Sequence, residues 1–267
     1  VAKAKELAQE VKLAIGIPYR ASGSNEEPLV VDIVKVRKFT LKDKIDVWGI
    51  AKNDMVSAAA EFLSRVVVEP EMTRKQAMNV TEADRDLIMG ACYQFTLGEE
   101  VLWQTECQQR GCGKSQDIPI DLSALEVRRD DTGTYGLVDG NMTYSFELDG
   151  VGKVVLRALT GKDLHKVISD PNNQNNELRS VYTLYSECLL KFGDEKPDDV
   201  VRKKYTLDFL NGLDMDVLNR LEAEVEKRRM GYEKNCAFKC ISCGRENRFV
   251  VDMLLFFFRN PHMEANR

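Results

Sequence analysis

Residues 240–253 read Cys-Ile-Ser-Cys-Gly-Arg-Glu-Asn-Arg-Phe-Val-Val-Asp-Met, and residues 107–122 read Cys-Gln-Gln-Arg-Gly-Cys-Gly-Lys-Ser-Gln-Asp-Ile-Pro-Ile-Asp-Leu. From the second cysteine of each stretch onward the order repeats: Cys-Gly, a basic residue, an apolar-x-apolar strand, Asp and an aliphatic side chain. Cys112 aligns with Cys243 at an offset of 131 residues. Two thiolates in a tight turn can point at one ion, and the glycine that follows lets backbone N–H groups approach the sulfurs. Neither pair completes a site, because a structural zinc takes four ligands in a tetrahedron. Two knuckles at equivalent places in two halves of a chain complete each other when the halves pack about a twofold axis.

Working outward, an internal repeat is sought before anything else. Residues 36–43 read Val-Arg-Lys-Phe-Thr-Leu-Lys-Asp and residues 156–163 read Leu-Arg-Ala-Leu-Thr-Gly-Lys-Asp, at an offset of 120. Each box follows a strand-like run, Val30 to Phe39 and Val151 to Leu159. Thr40 and Thr160 can each cap a helix, with Asp43 or Asp163 at the third helical position beside the positive end of the helix dipole. A third echo pairs Asp84-Arg-Asp86-Leu-Ile with Asp214-Met-Asp216-Val-Leu at an offset of 130. Three matches in the same order point to a duplication. The expected fold is α+β: two related α/β halves packed about a pseudo-twofold axis, sharing a four-cysteine metal site.

The expected organisation has three parts. Residues 1–28 form an N-terminal helical arm (Val1 to Ile15) and a linker. Residues 29–135 form the first half and residues 136–267 the second. Within them, helices are expected at Asn53 to Val68, Thr81 to Leu97, Leu178 to Phe192 and Asp214 to Met230. A hairpin is expected around Asp149-Gly150.

Composition narrows the function. The chain has 267 residues, 43% apolar and 30% charged, so it has the means to fold, and its net charge is −5. Binding to nucleic acid draws most of its affinity from phosphate neutralisation, so an acidic chain is a poor candidate. The longest apolar run, Met253 to Phe258, is far shorter than the roughly 20 residues of a membrane span. Residues 1–11 lack the apolar stretch of a signal peptide, so nothing directs the chain to a secretory route.

Seven cysteines are present. Cys92 and Cys188 stand alone in helix-like stretches and read as buried small hydrophobes. Cys107, Cys112, Cys240 and Cys243 are the candidate metal ligands, with zinc expected and an iron–sulfur cluster as the alternative. Cys236 competes with Cys240 as the counterpart of Cys107. The two intervening residues between Cys240 and Cys243 suit the turn, which leaves Cys236 a free thiol or a substitute ligand. No catalytic constellation is visible. His165 and His262 are the only histidines, no phosphate-binding glycine loop occurs, and Asp84, Asp86, Asp214 and Asp216 read as helix-start residues. No enzyme activity is expected. The Met253–Phe258 run reads either as a core strand beside the second knuckle or as an exposed anchor for a partner.

The sequence of strand, Thr-x-Lys-Asp box, helices and knuckle, then a second round ending in Cys-x-x-Cys-Gly, a strand and Phe-Phe-Phe, resembles a known family. It is similar to the baseplate hub or hub-assembly proteins of contractile-tailed bacteriophages of the T-even type. Arg157-Ala-Leu-Thr160-Gly-Lys-Asp163, the two cysteine pairs and Phe256–Phe258 carry the resemblance, which spans roughly residues 30–260. The five-residue step from Cys107 to Cys112 departs from the commoner Cys-x-x-Cys. The resemblance implies a structural or assembly role with other tail proteins (hub, spike, tape measure) as partners. It also implies residence in the host cytoplasm during assembly or in the virion baseplate. A zinc-ribbon module associated with nucleic acid is the competing reading. Lys239, Arg245 and Arg248 favour it, while Glu106, Glu246 and Asp252 dilute it.

Overall fold

In the computed structural model, residues 7–259 are described, except 22 and 25. The chain opens with β1 (Ala8–Tyr19) and β2 (Leu29–Arg37), then α1 (Leu41–Ala51), α2 (Met55–Val66) and β3 (Val67–Glu69). A short α3 (Arg74–Ala77) and a long α4 (Glu82–Leu97) lead to the hairpin β4 (Glu100–Glu106) and β5 (Ser115–Asp121). After β6 (Val127–Arg128) and β7 (Gly136–Val138) the order starts again with β8 (Asn141–Leu148), β9 (Gly152–Arg157), α5 (Gly161–Ile168), α6 (Glu177–Cys188) and β10 (Leu189–Phe192). A short α7 (Leu207–Asn211) and a long α8 (Met215–Lys227) follow, then β11 (Gly231–Tyr232), the hairpin β12 (Asn235–Lys239) and β13 (Glu246–Val250), and α9 (Met253–Arg259). The molecule is α+β, with helices set against small antiparallel sheets.

Helices pack against two larger antiparallel sheets, ordered β1-β2-β3 and β10-β9-β8-β7, and β6 pairs with β11. The Thr-x-Lys-Asp boxes sit at matching corners. Asp43 Oδ2 accepts the N–H and the hydroxyl of Thr40, each at 2.8 Å, while Arg37 grips the carboxylate with both terminal nitrogens. Asp163 takes the N–H (3.1 Å) and the hydroxyl (2.7 Å) of Thr160, and Arg157 grips it in the same way. In each case an arginine ending a strand neutralises an aspartate buried at a helix start, a charge-assisted fork that fixes the strand-to-helix turn.

The third echo aligns differently from the sequence expectation. Helix α4 is capped by Thr81 with Asp84 at its third position, whereas Asp214 is itself the cap residue of α8. The caps correspond at an offset of 133, Thr81 with Asp214 and, one helix earlier, Thr73 with Thr206. The two Asp-x-Asp patterns thus begin at different positions of their helices, the third residue in α4 and the cap in α8.

Three further expectations are corrected. The described part of the N-terminal arm is strand β1, not helix, while residues 1–6 lie outside the described residues. Val11 and Leu13 are buried while Glu10 and Lys12 are exposed, the period-two pattern of a strand, and Gly16 and Pro18 are poor helix residues. Helix α6 stops at Cys188, and Leu189–Phe192 turn back as β10 to pair with β9. The Met253–Phe258 run is neither a strand nor an exposed anchor. It is a helix, and Phe256, Phe257 and Phe258 are buried in the core of the first half. There Phe257 meets Phe62 at 4.5 Å and Trp48 at 5.7 Å between ring centres, and Phe256 meets Tyr93 at 5.2 Å.

Helix α4 is the post that ties the first half together. Pairing between β1 and β2 slips between Lys12 and Ile17, leaving a bulge whose backbone N–H groups need acceptors. Asp84 supplies them, accepting from Ala14 (2.6 Å), Ile15 (3.1 Å) and Gly16 (3.1 Å). Gly16 has φ +98, and a Cβ there would lie 2.6 Å from Val30 Cγ1, so the bulge demands glycine. Among the described residues, no helix is long and apolar enough to cross a membrane.

Candidate metal centre

Both hairpins end in a cysteine at the same register. Glu106 pairs with Ser115 across β4–β5 and Lys239 with Glu246 across β12–β13, and Cys107 and Cys240 are the next residues outward. Each hairpin is closed at its tip by the cysteine's own N–H: Cys107 N donates to Lys114 O (2.9 Å) and Cys240 N to Arg245 O (3.0 Å). The chain then reverses through Gly113 and Gly244, both with positive φ (54 and 70), a conformation side chains with a Cβ rarely take. The second cysteine of each pair is thereby turned back toward the first.

The four sulfurs of Cys107, Cys112, Cys240 and Cys243 lie within 4.8 Å of one another, a group that could hold a metal ion. The short cross-hairpin separations are Cys107 to Cys243 and Cys112 to Cys240, both 3.7 Å. With metal–sulfur bonds of about 2.3 Å, the edge of a regular tetrahedron is about 3.8 Å. A disulfide needs about 2.05 Å, so these spacings fit four thiolates around one ion and not two disulfides. Four sulfurs leave no open coordination position for a substrate water. Cys107 and Cys240 are buried, Cys112 is half-buried and Cys243 is exposed. Burial, with help from the neighbouring thiols, pushes Cys107 up to about 11. The backbone N–H groups of Cys243 and Ser242 pull Cys240 down to about 7, which favours its thiolate.

Two amide side chains lock the knuckles together, and sequence reasoning missed both. Asn247 Oδ1 accepts from the backbone N–H of Gln108 (2.9 Å), the residue after Cys107. Gln116 Oε1 accepts from the backbone N–H of Ile241 (3.0 Å), the residue after Cys240. The exchange is reciprocal: each return strand reaches across to the first cysteine turn of the other hairpin. The signal was present, since Gln116 and Asn247 each stand four residues after the second cysteine of a pair. Asn247 also donates to Arg245 O (3.0 Å) and is 3% exposed.

Cys236 lies outside the cluster. It pairs across the hairpin with Phe249, at the register position that Trp103 opposite Ile118 holds in the first hairpin. Trp103 stacks on Phe249 with ring centres 6.1 Å apart, so this level of the two hairpins is packing, not ligation. Cys92 and Cys188 are buried and are not among the four gathered sulfurs. His165 Nδ1 stands 2.8 Å from Asp54 Oδ2 on the neighbouring α2, and His262 lies outside the described residues. Asp84 is consumed by the β1 bulge, and Asp86 pairs with Arg85 (2.8 Å) and Lys234 (2.6 Å). Asp216 is on the surface beside Arg220.

Comparison with known proteins gives one result. The model of a family described as T4 bacteriophage base plate protein matches residues 22–259. No curated protein and no solved structure matches significantly.

Proposed function

From the premise that this chain belongs to the T4 bacteriophage base plate protein family, we propose that it is a non-enzymatic structural or assembly component of the tail baseplate. The family match over nearly the whole described chain carries this reading. Within the baseplate we place it at the hub, in contact with other tail proteins such as hub, spike or tape-measure components. In this reading it acts in the host cytoplasm during assembly or within the finished tail. Cys107, Cys112, Cys240 and Cys243 hold one zinc ion, whose role is to fasten the two hairpins. Three things support zinc: the all-sulfur donor set, the tetrahedral spacing and the absence of an open position. The repeated order of elements, the paired caps and the reciprocal knuckles further support two halves from an ancient duplication, related by a pseudo-twofold axis at the cluster.

Three experiments test this. Elemental analysis of the purified protein is expected to find one zinc per chain in a colourless solution, and stoichiometric iron with visible absorbance would overturn zinc. Cys243→Ser is expected to lose the ion and fold poorly, and a soluble variant with unchanged melting would overturn a structural metal. Phage carrying a premature stop in this gene should accumulate tails or baseplates arrested in assembly. Normal infectious tails without the protein would overturn the structural role.

A further inference from the structure

The knuckles meet reciprocally, but the bodies behind them do not. One joint between the halves is closed. The head of α5 sits on the first half, where Gly161 N donates to Val80 O (3.3 Å) and Lys162 N to Met78 O (2.8 Å). A Cβ on Gly161 would lie 3.6 Å from Val56 Cγ1, Leu164 packs on the larger core, and His165 pairs with Asp54. The receptor is thus the N-terminus of α2 with the α3–α4 turn. The insert is the head of α5.

The chain carries a second receptor and a second insert, identified by their caps. Asn176 caps α6 as Asp54 caps α2, which puts Leu178 in the place of Val56. The α7–α8 turn, residues 211–214, stands where residues 78–81 stand in the first half. By the matching Thr-x-Lys-Asp boxes, Leu41 and Ile45 on α1 stand where Gly161 and His165 stand on α5. Here the correspondence in structure ends in a difference in burial. Val56 is 3% exposed, whereas Leu178 is 66%, Met215 62%, Leu41 73% and Ile45 64% exposed.

The second receptor is an open groove of about 440 Å³ lined by Leu178, Tyr182, Leu213 and Met215 among others. Its chemistry matches the second insert. The close contact of His165 with Asp54 in the closed joint is replaced by Ile45 and Asn176, so both polar members are changed together. Gly161, which approaches backbone closely, becomes Leu41, and the groove has room for a larger side chain. The groove is lined mainly by apolar side chains, with Arg179 the one charged residue among them, so its match to the insert is apolar.

We propose that the head of α1 of one copy docks into the α6/α7–α8 groove of a second copy, repeating between molecules the joint that α5 makes with α2 inside one. Such a contact is heterologous: it leaves one insert and one groove free at the ends, and it grows into a chain or closes into a ring. One groove buries less than a standard interface, so association is weak in dilute solution. The inference goes beyond the tail-component reading and rests on the cap correspondence alone, whatever ion the cysteines hold.

Sedimentation velocity from about 1 μM to about 1 mM tests it. Wild type is expected to associate with rising concentration, beyond a dimer. Leu41→Asp/Ile45→Asp (insert lost) and Leu178→Asp/Met215→Asp (groove lost) should each remain monomeric, with association weakened roughly 30-fold or more. Mixed in equal amounts, they should form a dimer that cannot grow, since one competent insert meets one competent groove. All four positions are exposed, so far-UV circular dichroism and melting should match wild type. A wild type that stays monomeric throughout overturns the proposal, including the case where the groove is closed by the molecule's own α1. Association that survives either double variant, or a mixture that forms no dimer, overturns it equally. The zinc analysis and the tail phenotype are separate readouts, so their failure is distinguishable from failure here.

Discussion

Replacing Asn247 with alanine removes the side chain that latches one knuckle onto the other without touching a cysteine. The buried amide accepts from Gln108 N at 2.9 Å and donates to Arg245 O at 3.0 Å. Its Oδ1 also lies 3.5 Å from Cys107 Sγ. Loss of two partly buried hydrogen bonds made by this buried amide costs about 2–3 kcal/mol. In a chain of this length that is a fall in melting temperature of about 5–10 °C. An outer-shell group of this kind also steadies the ligands, so affinity for the ion should drop by about 10-fold to 100-fold. Gln116→Ala is the internal control. Its partner, Ile241 N, sits in an exposed turn where water replaces the lost acceptor, so its cost should stay under about 1 kcal/mol. Calorimetry and competition with a coloured chelator, run on both variants, give the ranking. Equal effects in the two, or an Asn247→Ala protein that holds its ion as tightly as wild type, would refute the latch.

Three other outcomes follow from the fold. Asp84→Ala orphans three backbone N–H groups of the β1 bulge and should cost about 3–5 kcal/mol in urea denaturation, with Asp84→Asn falling between it and wild type. A variant as stable as wild type would mean the bulge is held by something else. Phe257→Ala empties the aromatic cluster shared by α9, Trp48 and Phe62 and should cost about 3–5 kcal/mol, whereas an exposed tail would show almost no loss. The third outcome concerns acid. Burial works against the Asp43 carboxylate, but the Arg37 fork and the Thr40 N–H and hydroxyl hold it down at about 2. A group depressed on folding stabilises fully above its unfolded value near 3.8 and loses that contribution as pH falls through about 2. Arg37→Met should therefore move the onset of acid unfolding to higher pH. An unchanged acid limb in circular dichroism would show that the pair contributes nothing.

The features legible in the sequence were those set by neighbours along the chain. The Thr40 and Thr160 caps need only a hydroxyl and an acid three residues apart, and the cysteine clustering needs only spacing and a glycine that tolerates positive φ. What the sequence hid depends on partners far away. Strand β1 carries charged residues that mimic a helical face, and its bulge makes sense only once Asp84, about 70 residues on, is seen to fill it. The Phe-Phe-Phe run has no period in so short a stretch, so a helix, a strand and an exposed anchor were equally compatible with it. The core that decides among them belongs to the other half of the chain. The Asp84 and Asp214 motifs fall at different helix positions, and an Asp-x-Asp pattern does not distinguish a cap from a third-position residue. The cap residues eight apart, Thr73 and Thr81 in one stretch and Thr206 and Asp214 in the other, carry the better match.

The placement of the cluster follows from what lies around it. Each hairpin is a two-stranded ribbon with one face on the core, and such ribbons are marginal on their own. One layer in, the packing is lopsided, with Trp103 stacked on Phe249 on one side and the small Cys236 at the equivalent place on the other. A four-sulfur site needs no apolar area to be strong, so it can hold the ribbons together where the core thins out at their tips. The four sulfurs come in pairs from the two hairpins, so an ion held there would tie both. Helix α9 follows the second hairpin directly and is buried in the first half. The second hairpin is therefore anchored at its base by aromatic packing, while its tip is where the four sulfurs gather. Among the described residues, Leu41 and Leu178 are left exposed, at 73% and 66%.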